Sequence, residues 1–219
     1  MTDFETIGTD GLKKVTTASG GAAIPELTPV APVLIDPDLV EYYHTVGISA
    51  TQDRGDSVII SCTENSSLAH VWAKTLPAYV HWKARVGFTF LSLPGTWYQC
   101  FGICVGDSSS PIYWKSFVWC CSYDGGWSPY MSLSRWTGDT RTAVTDTWAG
   151  LEWCMVTRWL QAYYDGLVVH FQLSINGLDW MTIYDWTPDF TMTKFGMLGS
   201  TQGNNFFISR VFHLDCISA

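Results

Sequence analysis

Between Leu167 and Ile183 the chain reads LVVHFQLSINGLDWMTI. Val169, Phe171, Leu173 and Ile175 alternate with His170, Gln172, Ser174 and Asn176. That period of two is the signature of a strand with one buried face. Asn176-Gly177 then supplies a turn, because both residues accept positive φ. Trp180 and Ile183 follow on a return strand. The combination fixes a β architecture before any chemistry is considered.

Runs of the same character recur along the chain. They cover residues 57–62, 69–74, 79–91, 97–105, 112–122, 130–136, 151–160, 180–184, 194–199 and 206–217. In the 79–91 run Val80, Trp82, Ala84 and Val86 face one way, and His81, Lys83 and Arg85 the other. Turn signals separate the runs, notably Asp107-Ser108-Ser109-Ser110-Pro111 and Tyr123-Asp124-Gly125-Gly126. The aromatic content, with 12 Trp, 10 Tyr and 11 Phe, favours strands too. No long amphipathic helix and no internal repeat interrupts the series. The expected fold is all-β: an antiparallel β-sandwich or jelly roll.

Residues 1–40 differ from this pattern. The stretch TTASGGAAIPELTPVAPVLIDP is poor in aromatics and carries Pro25, Pro29, Pro32 and Pro37, which oppose helix and central strand alike. The expectation is an extended docking arm over 1–40, followed by one sandwich domain over 41–219. Ile24, Pro25, Leu27, Pro29, Val30, Pro32, Val33 and Leu34 are its candidate partner-binding residues, and copies of the chain or neighbouring virion proteins its partners.

Charge excludes some function classes. The net charge is −8 and the 12 basic residues are scattered, so neither a nucleic-acid backbone nor an anionic membrane is an expected partner. The N-terminus has no apolar signal region and no run is long enough to span a bilayer. Synthesis in a host cytoplasm without export is the expectation.

LEWCMVTRW at 151–159, the alternating strand and Ser174-x-Asn176-Gly177-x-x-Trp180 together resemble the concanavalin A-like lectin/glucanase sandwich, including laminin G-like domains. Phe195-Gly196-Met197-Leu198-Gly199 and the Phe- and Asp-containing run 206–215 resemble its closing strands. The resemblance covers residues 70–217, most sharply 151–217. It implies a concanavalin A-like fold, which hosts lectins, hydrolases and adhesive spacers. In style, the Pro/Ala arm and low charge are similar to a tailed-phage virion protein.

Catalytic signatures are sparse. Glycosidases of this fold place paired carboxylates on one strand as E-x-D-x-x-E, one group to donate a proton and one to act as nucleophile or base. Glu5, Glu26, Glu41, Glu64 and Glu152 are in no such motif. The chain is read as non-enzymatic, with no catalytic residues assigned and a glycoside hydrolase ranked last. His44, His70, His81, His170 and His213 are dispersed, and His81, His170 and His213 are expected on outward strand faces. The 7 Cys, at 62, 100, 104, 120, 121, 154 and 216, lack metal-site spacing and read as buried small hydrophobes. No cofactor or metal is assigned. Calcium is the one candidate ion, at Asp107, Asp124, Asp165 and Asp179, although Asp also favours turns for its own backbone bonds.

Aromatic side chains near loops can stack on sugar C–H faces. Trp127, Trp136, Trp148, Tyr163 and Tyr164 are the candidate glycan-binding set, against the alternative of core or subunit interface. The functional expectation is a structural virion component, such as a head decoration, fibre or tail protein, that is displayed as a homo-oligomer. A carbohydrate-binding, host-recognition module is the alternative.

Overall fold

A computed structural model describes residues 40–43, 48–53, 57–62, 68–90, 99–123, 127–148, 157–201 and 207–219 of the chain, with the backbone alone described in β1, β2, nearly all of β3 and several strand ends. The arm residues Ile24 to Leu34 named above lie outside this set.

The strands in chain order are β1 (Val40–Tyr43), β2 (Ile48–Asp53), β3 (Ser57–Cys62), β4 (His70–Thr75), β5 (Trp82–Phe90), β6 (Gln99–Gly106) and β7 (Tyr113–Tyr123). There follow β8 (Trp127–Thr137), β9 (Thr140–Trp148), β10 (Trp159–Tyr164), β11 (Val169–Ser174), β12 (Met181–Trp186), β13 (Lys194–Thr201) and β14 (Phe207–Ser218). They form two seven-stranded sheets, ordered β1-β4-β13-β6-β7-β8-β9 and β12-β11-β10-β5-β14-β3-β2. Every pairing is antiparallel. No helix occurs among the described residues. The expected antiparallel sandwich is what the chain forms.

The period-two reading accounts for the core between the sheets. Trp82, Ala84, Val86 and Phe88 of β5 are buried there with Val169, Phe171 and Leu173 of β11. Phe101, Ile103, Val105, Phe117 and Trp119 come from the other sheet. Ring pairs bridge the layers: Phe88 meets Phe101 at 5.2 Å and Phe117 meets Phe171 at 5.6 Å. Each such pair adds about 0.5–1.5 kcal/mol to the effect of its burial. Val80 departs from the expected pattern. It precedes β5 and is exposed.

The first sheet also buries its other face. On β6, Cys100 and Cys104 alternate with Phe101, Ile103 and Val105; on β7, Trp114, Val118 and Cys120 alternate with Phe117 and Trp119. Ala69, Val71, Ala73, Trp136 and Leu198 complete this second cluster. The near-continuous apolar runs of the sequence thus mark strands buried on both sides. Closure explains how. The Ala69 backbone N–H donates to the Asp139 carbonyl at 2.6 Å, although the adjoining strands β4 and β8 are separated by β13, β6 and β7. The sheet coils across its own outer face until these corners meet. Small residues permit the curl: a Cβ on Gly106 would lie 2.4 Å from the Trp114 ring, and one on Gly196 2.0 Å from the Trp72 carbonyl oxygen.

Three strands were not expected, β1, β2 and β9. In β9, TRTAVTDTW offers no apolar alternation; pairing with β8 makes the strand. Of the expected 151–160 strand, Trp159 and Leu160 open β10 and residues 157–158 lie before it, while residues 149–156 lie outside the described set.

Candidate functional site

The outer face of the second sheet is polar across β12, β11, β10, β5 and β14, with Gln161 at its centre buried and its neighbours partly exposed. Five strands contribute to one transverse row: Thr182 (β12), Gln172 (β11), Gln161 (β10), Arg85 (β5) and Asp215 (β14), consecutive partners in the register. At an inter-strand spacing of about 4.8 Å the row extends about 19 Å. Gln161 Nε2 donates to Gln172 Oε1 at 2.5 Å, and Gln172 Nε2 donates to Thr182 Oγ1 at 2.9 Å. Arg85 grips Asp215 with both ends of its fork, at 2.9 and 2.5 Å, the bidentate geometry guanidinium favours. His213 Nε2 lies 3.0 Å from the same carboxylate.

Aromatic rings flank the row. Trp159, two residues before Gln161, is half-buried and meets Phe212 edge-on at 5.2 Å and His213 at 5.0 Å. A register shift between Val211 and His213 in β14 accompanies the placing of Phe212 beside the ring. Tyr163, two residues after Gln161, lies 5.4 Å from the His170 ring, with Lys83 Nζ 5.2 Å from its own. His170 is bracketed: Nδ1 is 2.7 Å from Asp185 and Nε2 is 3.2 Å from Asp165.

The electrostatics of this face are those of fixed charges. Burial alone would push the Asp215 carboxyl up, but the bonds from His213 and Arg85 outweigh it and hold the group at about 2. Asp165 is likewise held at about 2, by the backbone N–H groups of Val168 and Leu167 and then by His170. Burial lowers the His170 pKa, and its two carboxylate neighbours, Asp185 and Asp165, more than reverse that. Two carboxylates on opposite ring nitrogens favour the imidazolium, which alone donates from both.

The sequence candidates divide. Tyr163 lies on this face. Tyr164 points the other way, against Trp82 at 5.7 Å, and lines a cleft of about 880 Å³ at the end of the sandwich with Tyr79, Leu167 and Phe190. Trp136 is a correction: it is fully buried inside the coiled sheet, its Nε1 donating to Ser116 Oγ at 2.9 Å, and no ligand can stack on it. Trp127 opens β8 and Trp148 closes β9; their side chains lie outside the described residues. Gln161, Gln172, Arg85 and Asp215 of this row were not among the sequence candidates, and Trp159 was counted among the aromatics able to stack on a sugar but not in the loop-adjacent set. The signal was present in the outward positions of β5 and β10, where polar and aromatic residues alternate with the core positions.

The calcium candidates serve their own turns. Asp107 Oδ1 accepts from the Tyr113 and Ser109 N–H groups at 3.0 and 3.2 Å. Asp165 Oδ1 accepts from Leu167 and Val168, and Asp179 Oδ2 from Asn176 Nδ2. Asp124 lies outside the described residues. Among the described residues no three His, Cys, Asp or Glu side chains converge as metal ligands. Cys100, Cys104 and Cys120 are buried thiols, as expected of small hydrophobes; Cys216 is half-buried, and the side chains of Cys62, Cys121 and Cys154 lie outside the described residues.

No protein-family model matches the chain, and no curated protein sequence is similar to it. Solved structures are similar in fold. A functionally unknown protein from Saccharomyces cerevisiae superposes with a TM-score of 0.58 at 12% identity, over 83% of this chain and 97% of that one. A legume lectin-like domain from Entamoeba histolytica gives 0.52 at 10% identity, over 79% and 88%. The PL7 alginate lyase AlyA1 from Zobellia galactanivorans gives 0.39 at 12% identity, over 81% and 83%, a likeness from which nothing about this chain is drawn. At these identities the common property is the lectin-like sandwich fold.

Proposed function

We propose that the protein is a carbohydrate-binding domain that takes its ligand on the outer face of the second sheet. One observation carries the reading: a hydrogen-bonding row of Thr182, Gln172, Gln161, Arg85 and Asp215 lies between the half-exposed rings of Trp159 and Tyr163. Sugars need both components, a ring for the C–H face and planar amide or charged groups for the hydroxyls. The lectin-like fold agrees with the reading.

The same face favours binding without catalysis. Glycoside hydrolysis needs a carboxyl that stays protonated to act as an acid. Asp215 and Asp165, each held at about 2, are permanent anions at neutral pH. A glycan array followed by titration calorimetry tests the proposal. Trp159→Ala, Tyr163→Ala and Gln172→Ala should each weaken the selected glycan about tenfold or more, as truncation of a central contact does. Absence of any array signal from folded protein, or full affinity in all three variants, rejects it.

An assembly role in a virus particle, with residues 1–40 docking on a neighbour, is a second reading that rests on the proline spacing of that segment. It requires that a chain lacking residues 1–40 fold and yet fail to join its assembly. Normal incorporation of the truncated chain rejects it.

A further inference from the structure

The glycan face makes no use of one motif that stood out in the sequence, Ser174-x-Asn176-Gly177. An asparagine before glycine invites cyclisation, since glycine presents no side chain to obstruct approach to its backbone. The Gly177 nitrogen loses its proton and bonds to the Asn176 side-chain carbon Cγ. The Cγ–Nδ2 bond breaks and ammonia leaves with that proton. Water then opens the succinimide at either carbonyl, giving aspartate or isoaspartate.

Every group in that reaction is engaged here. The Gly177 N–H, whose proton must be lost, donates to Ser174 Oγ at 2.9 Å. Asn176 Oδ1 accepts from the Leu178 and Asp179 N–H groups at 2.9 and 3.0 Å and from the Ser174 hydroxyl at 3.1 Å. The leaving nitrogen, Nδ2, donates to Asp179 Oδ2 at 2.9 Å. Gly177 has φ of 76° and sits against the Trp159 ring, to which a Cβ would come within 2.8 Å. The peptide therefore has little room to turn its nitrogen toward Cγ. Ser174, which joins both reacting residues, is 2% exposed although it borders an exposed turn.

We propose that Asn176 is a site of spontaneous deamidation that the fold holds shut, with Ser174 as its latch. Opening it to isoaspartate adds a backbone methylene and shifts Gly177 relative to Trp159. The proposal concerns the chemistry of the turn and is independent of what the face binds.

The full chain is incubated at mildly alkaline pH, folded or in urea, and the peptide bearing Asn176 is followed by mass and by isoaspartate-specific methylation. The folded chain should react at least about tenfold more slowly than the unfolded one, the effect of more than one hydrogen bond. Ser174→Ala, which removes the bonds to the Gly177 N–H and to Asn176 Oδ1, should speed the folded reaction about fivefold or more, the value of two bonds. Asp179→Ala, at an exposed position, should speed it in the same direction and serves alone if Ser174→Ala does not fold. Equal rates in folded and unfolded wild-type chain overturn the proposal. So does an unchanged rate in folded Ser174→Ala or, where that variant is unfolded, in Asp179→Ala.

Discussion

Each sheet has a face turned away from the inter-sheet core, and the two faces took opposite courses. On the first sheet that face is apolar, built of Cys100, Cys104, Val118, Cys120, Ala73 and two tryptophans, and it is closed to solvent. On the second it is Arg85, Gln161, Gln172, Asp215, His170 and two half-exposed aromatics. Both obey the same period of two. What differs is the polarity of the outward residues. Cysteine and glycine beside Trp114 and Trp136 let the first sheet coil over an apolar face until its corners meet, whereas arginine, glutamine and aspartate give the second sheet a face of hydrogen-bonding groups. The lesson is that the polarity of the outward positions separates a sheet face that becomes a second core from one that presents hydrogen-bonding groups.

The comparison can be broken hardest at Trp136. Trp136→Ala should cost about 3–5 kcal/mol in a denaturant titration, the range for large aromatic truncations in a core. A loss below about 1 kcal/mol would mean that the closed face is not a core. Cys104→Ser comes next, at about 1–3 kcal/mol, because the hydroxyl must be desolvated in an apolar cluster. Burial also pushes the Cys104 thiol up, so a thiol reagent at neutral pH should label it only after unfolding. On the open face, Tyr163→Ala should change stability by less than about 1 kcal/mol while removing the glycan contact proposed above. That split between stability and binding is what separates the two faces.

The smallest effects are those of pH. Asp215 falls from its ordinary 3.8 to about 2. Its contribution is complete above the ordinary value and is lost as pH drops toward 2. Asp215→Asn should therefore flatten the acid limb of the stability curve. His170 is raised, so its contribution is complete below its ordinary 6.5 and is lost as pH climbs through the raised value. His170→Asn should flatten that limb, measured as melting temperature against pH. A wild-type profile that rises through the same interval counts against the bracketed imidazolium.

Much of this fold was legible in the sequence, and the reasons are local. Residues 57–62, 112–122, 194–199 and 206–217 announced their strands because their apolar content or alternation is strong. β9 was silent since its partner, and not its own residues, makes it a strand. The coiling of the first sheet was hidden for a different cause. Alternating Cys, Ser and Gly among large residues looks the same whether the small side is wet or buried, and only the Ala69–Asp139 contact decides. The candidate site was legible in part. Tyr163 was named for its proximity to a turn, but a ligand face crosses strands, and the row from Thr182 to Asp215 joins residues distant in sequence. Trp136 was misplaced because a loop-adjacent tryptophan gives no sign of which side of its strand is covered.

The pairing of β14 has a consequence for synthesis. This strand lies between β3 and β5, near the middle of the second sheet, and Arg85 meets Asp215 across 130 residues of chain. A ribosome releases β5 long before β14 exists. Until then β3 and β5 each have a bare edge, and bare edges recruit strands from other molecules. The nascent chain therefore holds an incomplete sheet for most of its translation, and its yield should respond to elongation rate and to chaperones that shield strand edges. A chain stopped before Phe207 would lack the seam that joins the two parts of that sheet.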